Sequence, residues 1–176
     1  MRIAVMITAG VGLLALAACS DDSATAPPAE TAAVAEKLTP GEYEVTTKVE
    51  ELRSTDNTTP LTKLKLTAAG DPPLAHRACI AADGSVATEM FSEAGDSCKV
   101  NNSYARNGKI NAQLGCSRDG APGNVMHSID GEFTADGFTA TVNTGTYFTG
   151  SGDYAMRRSL TARRVGACPA AGEKKS

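Results

Sequence analysis

The chain has 176 residues, of which 17 are Lys or Arg and 20 are Asp or Glu, so its formal net charge is −3. This weakly acidic balance excludes a broad basic surface for nucleic acid. Aromatic residues make up only 5% of the chain and Trp is absent. A single domain of this size would therefore have a thin apolar core and would gain from covalent cross-links.

The N-terminus predicts a lipoprotein signal peptide over 1–18. Arg2 precedes an apolar run that is shorter than the roughly 20 residues needed to span a bilayer. The run ends in Leu16-Ala17-Ala18-Cys19, a bacterial lipobox. An ordinary signal peptide and a single membrane-spanning anchor both fit this pattern less well. Cleavage would leave Cys19 as an acylated N-terminus, which attaches the protein to a membrane through chains such as palmitate.

The same segment predicts the location and the domain boundaries. Loss of Arg2 leaves 16 basic and 20 acidic residues, a net charge of −4. We expect a lipid-anchored protein of the cell envelope that faces the periplasm, and Ser20 after Cys19 favours the outer over the inner membrane. Residues 19–39 are rich in Ala, Thr, Ser and Pro and predict a flexible tether. A single β domain is expected over 40–169 and a disordered tail over 170–176.

The domain sequence predicts an all-β fold. Period-2 alternation indicates about seven strands, and turn signals at Asn107-Gly108, Asp136-Gly137 and Gly150-Ser151-Gly152-Asp153 join the later ones. Strands joined by such short turns form an antiparallel meander, here a curved sheet or partial barrel. One short helix is expected from Asp83-Gly84 to about Phe91. The predicted strands are 43–49, 63–66, 98–105, 109–117, 124–134, 138–148 and 154–165.

Hairpin register gives the pairing of two cysteines. If Arg106-Asn107-Gly108 is a three-residue loop closed by a glycine bulge, Cys98 faces Cys116 on the adjacent strand. The same register sets Tyr104 opposite Ile110 and places both cysteines on the apolar face. We therefore predict a disulfide between Cys98 and Cys116.

Two alternatives bear on this pairing. A two-residue turn would set Cys98 opposite Ser117 instead. Once Cys19 is acylated, the remaining even cysteine count in a secreted chain favours two disulfides, which by elimination pairs Cys79 with Cys168. A zinc site is disfavoured, because no C-x-x-C spacing occurs and the chain has two histidines. We expect neither a metal nor another cofactor.

The chain resembles bacterial proteins grouped as domain of unknown function 3617. The lipobox, the Cys98-Lys99 strand start and two end motifs carry the resemblance over nearly all of Pro40 to Pro169. Tyr43 stands where Trp is more usual in that family. Thr139-Ala140-Thr141-Val142 replaces a Met-Thr alternation, which weakens any methionine-based metal site. The resemblance implies an envelope location and a β domain, and no activity. The end motifs are Pro40-Gly41-Glu42-Tyr43-Glu44-Val45-Thr46-Thr47 and Arg163-Arg164-Val165-Gly166-Ala167-Cys168-Pro169.

Motifs that carry catalytic chemistry are scarce. Gly150 to Ala155 fits the G-x-G-x-x-A dinucleotide pattern, but a strand follows it where a helix is required, so a hairpin loop is the better interpretation. No phosphate loop, nucleophile elbow or H-E-x-x-H motif occurs, and the carboxylates are expected at surface positions. We therefore predict that the protein is not an enzyme.

Several polar residues fall on the face that the alternation predicts to be apolar. A two-residue turn at Asp136-Gly137 sets His127 opposite Thr146, and Arg158 alternates with Met156 and Leu160. For His127 the simpler interpretation is a hydrogen-bonded core histidine, and for Arg158 a side chain that reaches the rim. The candidate ligand-binding residues on this face are His127, Arg158 and Asn102, and Thr144 and Thr146 lie there too.

So many inward polar groups require a hydrogen-bonded network or water inside a concave sheet. The first function hypothesis is therefore binding of a small amphipathic ligand by a curved sheet. The second is a structural or protein-interaction module that meets another envelope protein through a sheet face or edge. An enzyme is the least favoured, because no nucleophile lies beside a base.

Overall fold

The computed structural model describes residues 35, 37–62, 64, 71–84 and 87–169, and the domain they form is all-β. Its one helical element within these residues is a 3-10 turn at Thr88–Met90. No helix in the described part of the chain is long and apolar enough to cross a membrane. The strands are β1 (Gly41–Ser54), β2 (Leu74–Ile80), β3 (Asp96–Arg106), β4 (Lys109–Arg118), β5 (Ala121–Thr134), β6 (Gly137–Phe148) and β7 (Tyr154–Gly166).

The seven strands form one antiparallel sheet in the order β2-β1-β7-β6-β5-β4-β3. Strands β3 to β7 are a meander in which each strand pairs with the next. β1 then adds to the free side of β7 and carries β2 on its other side. The sheet curls into a half-barrel, which leaves β2 and β3 as its two edges.

The concave face of the half-barrel holds the core, because inward residues alternate with outward ones along each strand. On β5, for example, Val125, His127 and Ile129 are buried, while the residues between them are exposed. The segment between β2 and β3 also contributes, since Phe91 is fully buried and its ring centroid lies 5.6 Å from that of Phe138. This segment therefore crosses the open side of the half-barrel and covers the concave face.

The predicted all-β meander of about seven strands is confirmed, although one of the observed strands was not predicted. The predicted strand 63–66 falls mostly outside the described residues, and Leu64 is not in a strand. The unpredicted strand is β2 at Leu74–Ile80, in which only Ile80 is buried, because β2 is an edge strand. The predicted helix near Asp83 to Phe91 is reduced to the 3-10 turn, with 85–86 outside the described residues.

The β3–β4 hairpin corrects the predicted loop. Arg106 pairs with Lys109, so the turn has two residues, and Asn107 and Gly108 both have positive φ. In this register Tyr104 faces Asn111, not Ile110, and lies on the outer face with 41% exposure. Asn-Gly is the sequence that best tolerates two left-handed residues, which explains the tighter turn.

The predicted cysteine pairing is nevertheless correct, because a bulge restores the register. The pairing shifts between Val100 and Asn102, so that from Asp96 to Val100 the residues of β3 face those expected for the longer loop. Cys98 then lies opposite Cys116 and forms a disulfide with it, with the Cα atoms 4.0 Å apart. Cys79 and Cys168 form the second disulfide, which ties β2 to the segment after β7.

Two other hairpins also differ from the prediction. Thr134 pairs with Gly137, so the β5–β6 turn lies one residue earlier than expected and His127 faces Thr144 rather than Thr146. A shift of two positions keeps every side chain on its predicted face. The β4–β5 turn at Asp119-Gly120 was not predicted, and it extends β5 back to Ala121.

The boundary of the predicted tether also shifts. Within 19–39, Leu38 is 3% exposed and belongs to the core, and the backbone N–H of Thr39 donates to the Ala135 carbonyl oxygen at 3.3 Å. The carbonyl oxygen of Ala35 accepts from the N–H of Gly108 at 3.0 Å. The domain therefore begins before Pro40. The predicted signal peptide, Cys19 and the tail 170–176 lie outside the described residues.

Candidate functional site

The concave face contains a cluster of charged and polar side chains that the surrounding strands bury. His127 on β5 is 1% exposed and Arg158 on β7 is 2% exposed, so both candidates lie where the alternation placed them. Asn102 does not join them. The bulge in β3 pairs it with the outward residue Gln113, and Asn102 is exposed. The prediction for Asn102 was wrong because it assumed an unbroken strand.

Arg118 and Asp96 form the most extensive ion pair of the buried cluster. Arg118 ends β4 and Asp96 begins β3, directly opposite it. The guanidinium donates from Nε to Oδ1 at 2.7 Å and from Nη2 to Oδ2 at 2.8 Å. Burial alone opposes both charges, but Asp96 and Glu93 raise the pKa of Arg118, while Arg118 and His127 lower that of Asp96. Both groups are therefore ionised at neutral pH.

Glu93 and Tyr154 extend the cluster from Arg118. Nη2 of Arg118 lies 3.1 Å from Oε1 of Glu93, and its Nη1 donates to the Tyr154 hydroxyl at 2.8 Å. The Tyr154 hydroxyl in turn donates to Glu93, and Thr62 donates to the other carboxylate oxygen at 2.9 Å. Burial and the nearby Glu93 charge raise the pKa of Tyr154, so the phenol keeps its proton.

His127 lies beside this network without being fully hydrogen-bonded. Its Nδ1 is 2.9 Å from Oγ1 of Thr144 on β6. Its Nε2 has no hydrogen-bond partner among the described residues, and the nearest carboxylate oxygen, Oδ2 of Asp96, is 3.8 Å away. That distance permits an ion pair but exceeds a hydrogen bond. Burial lowers the pKa of His127 more than Asp96 raises it, so the ring is neutral at pH 7.

Arg158 is the least satisfied of the buried charges. Its Nη2 donates to the backbone oxygen of Phe91 at 2.5 Å, and its Nε has no partner among the described residues. No described carboxylate lies within 4.0 Å of the Arg158 guanidinium. Burial lowers the pKa of Arg158, and the more distant Glu93 and Asp96 partly offset this lowering. Arginine remains protonated in proteins, so Arg158 is a buried charge whose Nε donor is unused among the described residues.

A cavity of about 390 Å³ opens next to Arg158. It lies on the open side of the half-barrel, between the edge strand β2 and the start of β3. Leu64, Leu74 and Ala75 contribute apolar wall, and Glu93 and Asp96 line it together with Arg158. Two basic side chains, Arg118 and Arg158, thus lie with two acidic ones, Glu93 and Asp96, in the buried cluster. The cavity therefore combines an apolar wall with both donor and acceptor groups.

A second cavity, of about 500 Å³, lies at the other end of the sheet, near the Asn107-Gly108 turn. Phe133, Phe138 and Ala162 contribute apolar wall, and an exposed pair between Lys109 and Glu132 stands at its rim. It contains none of the buried charged residues. Of these two cavities, the buried cluster therefore lines only the one at Arg158.

The sequence indicated His127 and Arg158 but missed Glu93, Asp96, Arg118 and Tyr154. Glu93 lies in an irregular segment, where alternation gives no direction for a side chain. Asp96 and Arg118 lie at strand ends, outside the predicted strands 98–105 and 109–117. A signal was present, since the Cys98–Cys116 register also sets Asp96 opposite Arg118. The carboxylates of Glu93 and Asp96 are buried, which corrects the expectation that carboxylates lie on the surface.

The comparisons with known proteins identify a family and no characterised relative. Searches of curated proteins and of solved structures each return no match. The sequence model of the family described as "Protein of unknown function (DUF3617)" matches residues 38–168, which include every strand and all four disulfide cysteines. The chain therefore belongs to the DUF3617 family.

Proposed function

We propose that this protein is a lipid-anchored component of the cell envelope whose β domain binds a small amphipathic molecule in the cavity at Arg158. The lipobox ending at Cys19 supports the anchor, because acylation of that cysteine would hold the chain on a membrane. The two disulfides support an oxidising compartment such as the periplasm, since disulfides are rare in reducing ones. An outer-membrane location, favoured by Ser20, is part of the same proposal.

The observation that carries ligand binding is the position of Arg158. A buried guanidinium whose Nε has no partner among the described residues is costly unless another group accepts its hydrogen bond. A ligand in the cavity could supply that acceptor, and about 390 Å³ lies within the range of small-molecule sites. The apolar residues Leu64 and Leu74 would contact its hydrocarbon part.

The carboxylates restrict the chemistry of the head group. Glu93 and Asp96 also line the cavity, so a bare anion would meet their negative charge. A head that carries donors as well as an acceptor fits better, with its acceptor toward Arg158. An uncharged ester with hydroxyl groups has this pattern, and monododecanoylglycerol is a suitable probe.

The proposal is tested by titrating the protein with monododecanoylglycerol below its micellar concentration and following binding by calorimetry. Ala94 is exposed and lines the cavity, so Ala94→Trp should fill it without disturbing the core. Ala82 is exposed outside the cavity wall, and Ala82→Trp is the matched control. We expect binding by wild type and by Ala82→Trp, and loss of binding by Ala94→Trp. Equal binding by both variants would show that the amphiphile does not bind in the cavity at Arg158.

The outer face favours a second candidate, an interaction module of the envelope. Tyr147 is 67% exposed, and Met126 lies on the neighbouring strand β5 with a partly exposed side chain. Val100 and Tyr104 add exposed apolar surface on the edge strand β3. Site-specific cross-linking from position 147 in whole cells tests this candidate. A single cross-linked envelope protein, lost in Met126→Ser, would support it, and its absence would favour the ligand-binding function.

A further inference from the structure

Three ligand atoms of the kind that bind thiophilic metals lie together on the concave face. The sulfur atoms of Cys98 and Cys116 and one ring nitrogen of His127 are all within 4.8 Å of one another. The three residues come from the adjacent strands β3, β4 and β5. In the structure the two sulfurs form a disulfide, so the metal-binding form of this group is the reduced one.

The orientation of the imidazole suits a metal ligand. Nδ1 faces Thr144 on β6, whereas Nε2 faces Asp96, which lies on β3 two residues before Cys98. Nε2 therefore faces β3, the strand that carries Cys98, and it has no described hydrogen-bond partner. Metal-binding histidines typically have their second nitrogen held by a hydrogen bond, as Thr144 holds Nδ1 here.

We propose that, when the Cys98–Cys116 disulfide is reduced, the two thiolates and Nε2 of His127 bind Zn²⁺. Two sulfurs and one imidazole are a common zinc donor set, and three protein ligands leave a fourth position for water. This site does not use Arg158 or an amphipathic ligand, so a failure of one proposal would not affect the other.

The reduction requires a dithiol donor, which we take to be a thiol-disulfide exchange partner. Its two thiols transfer two electrons and two protons to the Cys98–Cys116 bond, and the donor leaves as a disulfide. Zinc binding then releases both cysteine protons as the two Zn–S bonds form. Atoms and charge balance, since one dithiol and one Zn²⁺ enter and one disulfide and two protons leave.

The surrounding charges tolerate the bound cation. Zn²⁺ with two thiolates is neutral overall, so it adds no net charge to the buried cluster. Asp96 keeps its ion pair with Arg118 and places a carboxylate oxygen 3.8 Å from Nε2, where its negative charge favours the cation. Binding would also give Nε2 of His127 the partner that it lacks in the described part of the chain.

Cobalt is the probe that tests this site, because thiolate ligation of Co²⁺ produces a charge-transfer absorption that oxygen ligands do not. The full chain, reduced under anaerobic conditions, should bind one Co²⁺ with this absorption and exchange it for Zn²⁺. Cys79→Ser/Cys168→Ser should retain the absorption, and Cys98→Ser/Cys116→Ser should lose it. His127→Gln should weaken zinc binding by at least about tenfold.

Oxidised wild-type protein serves as a second control, because it keeps the fold of the structure and has no free thiolate at this site. It should not bind. Absorption that persists in Cys98→Ser/Cys116→Ser, or zinc affinity unchanged in His127→Gln, would overturn the assignment. Absence of thiolate absorption in the reduced wild type would overturn it as well.

Discussion

Arg118 and Asp96 face each other across the first pair of the β3–β4 ladder and are joined by two hydrogen bonds of 2.7 and 2.8 Å. Both side chains are fully buried. The pair lies two positions from the Cys98–Cys116 disulfide on the same strands, so a covalent link and an ion pair hold the two strands together. Arg118 also joins Glu93 and Tyr154, which connects this edge of the sheet to β7.

Loss of Arg118 is expected to destabilise the domain strongly. Arg118→Met would leave the Asp96 and Glu93 carboxylates buried without their shared cation, which costs roughly 3–5 kcal/mol of unfolding free energy. Arg163→Met is the matched control, because the Arg163 side chain is 73% exposed and should contribute about 1 kcal/mol or less. Urea unfolding of both variants gives the comparison. Similar midpoints would contradict the structural role of the cluster.

His127 should make the stability depend on pH. Burial lowers its pKa in the folded state, so the unfolded chain takes up the proton first as the pH falls below its usual value of about 6.5. The unfolding free energy should therefore fall as the pH drops from about 7 toward the lowered pKa of the folded state. The lowered pKa of Asp96 adds a further loss only in stronger acid, as the pH falls from about 3.9 through its folded pKa.

The chain offers its own control for this pH dependence, since His76 is the other of its two histidines. Partial removal of solvent also lowers the pKa of His76. His76 lies on the edge strand β2, however, and is much more exposed than His127. His127→Gln should remove most of the decline in the unfolding free energy, and His76→Gln a smaller part. A decline that persists in full in His127→Gln would show that another group titrates.

Close packing between β5 and β6 predicts opposite effects for two glycines. A Cβ at Gly131 would meet the Thr139 carbonyl oxygen and come within 2.8 Å of the Ala140 Cα, so Gly131→Ala must displace backbone. At Gly145 the nearest atom is the Tyr147 hydroxyl at 4.0 Å. Gly145→Ala should be neutral or stabilise by up to about 1 kcal/mol. Thermal melting tests the pair, and a larger loss at Gly145 would contradict the packing.

The sequence predicted the sheet better than it predicted the site. Alternation predicts the direction of a side chain where one face of a strand is buried and the other is exposed, as on β5 and β7. It therefore placed His127 and Arg158 correctly. It does not report a bulge, so Asn102 was assigned to the wrong face. Alternation also gives no prediction for irregular segments, where Glu93 lies. It does not detect edge strands such as β2, because their exposed residues lack a period-2 pattern. The contact between Glu93 and Arg118 depends on such an irregular segment and could not be derived, whereas the pairing of Asp96 with Arg118 follows from the register of the two cysteines.

The anchor is tested by metabolic labelling. Cys19→Ala should leave an unprocessed precursor that takes up no labelled palmitate, because the acyl chains require the cysteine of the lipobox. Ser20→Ala keeps that cysteine and should be labelled like wild type. Equal labelling of wild type and Cys19→Ala would contradict the proposed lipid anchor.

The most direct test of the proposed function is the affinity of Arg158→Met for monododecanoylglycerol. Methionine keeps an apolar stem and removes the donors, so binding should weaken by roughly ten- to a hundredfold. Arg157→Met is the matched control, since that neighbouring side chain points outward and is 54% exposed. Melting curves of both variants establish that they are folded. Tenfold or greater loss in Arg158→Met alone is the expected result, and equal affinity in folded Arg158→Met and wild type would contradict ligand binding at this cavity.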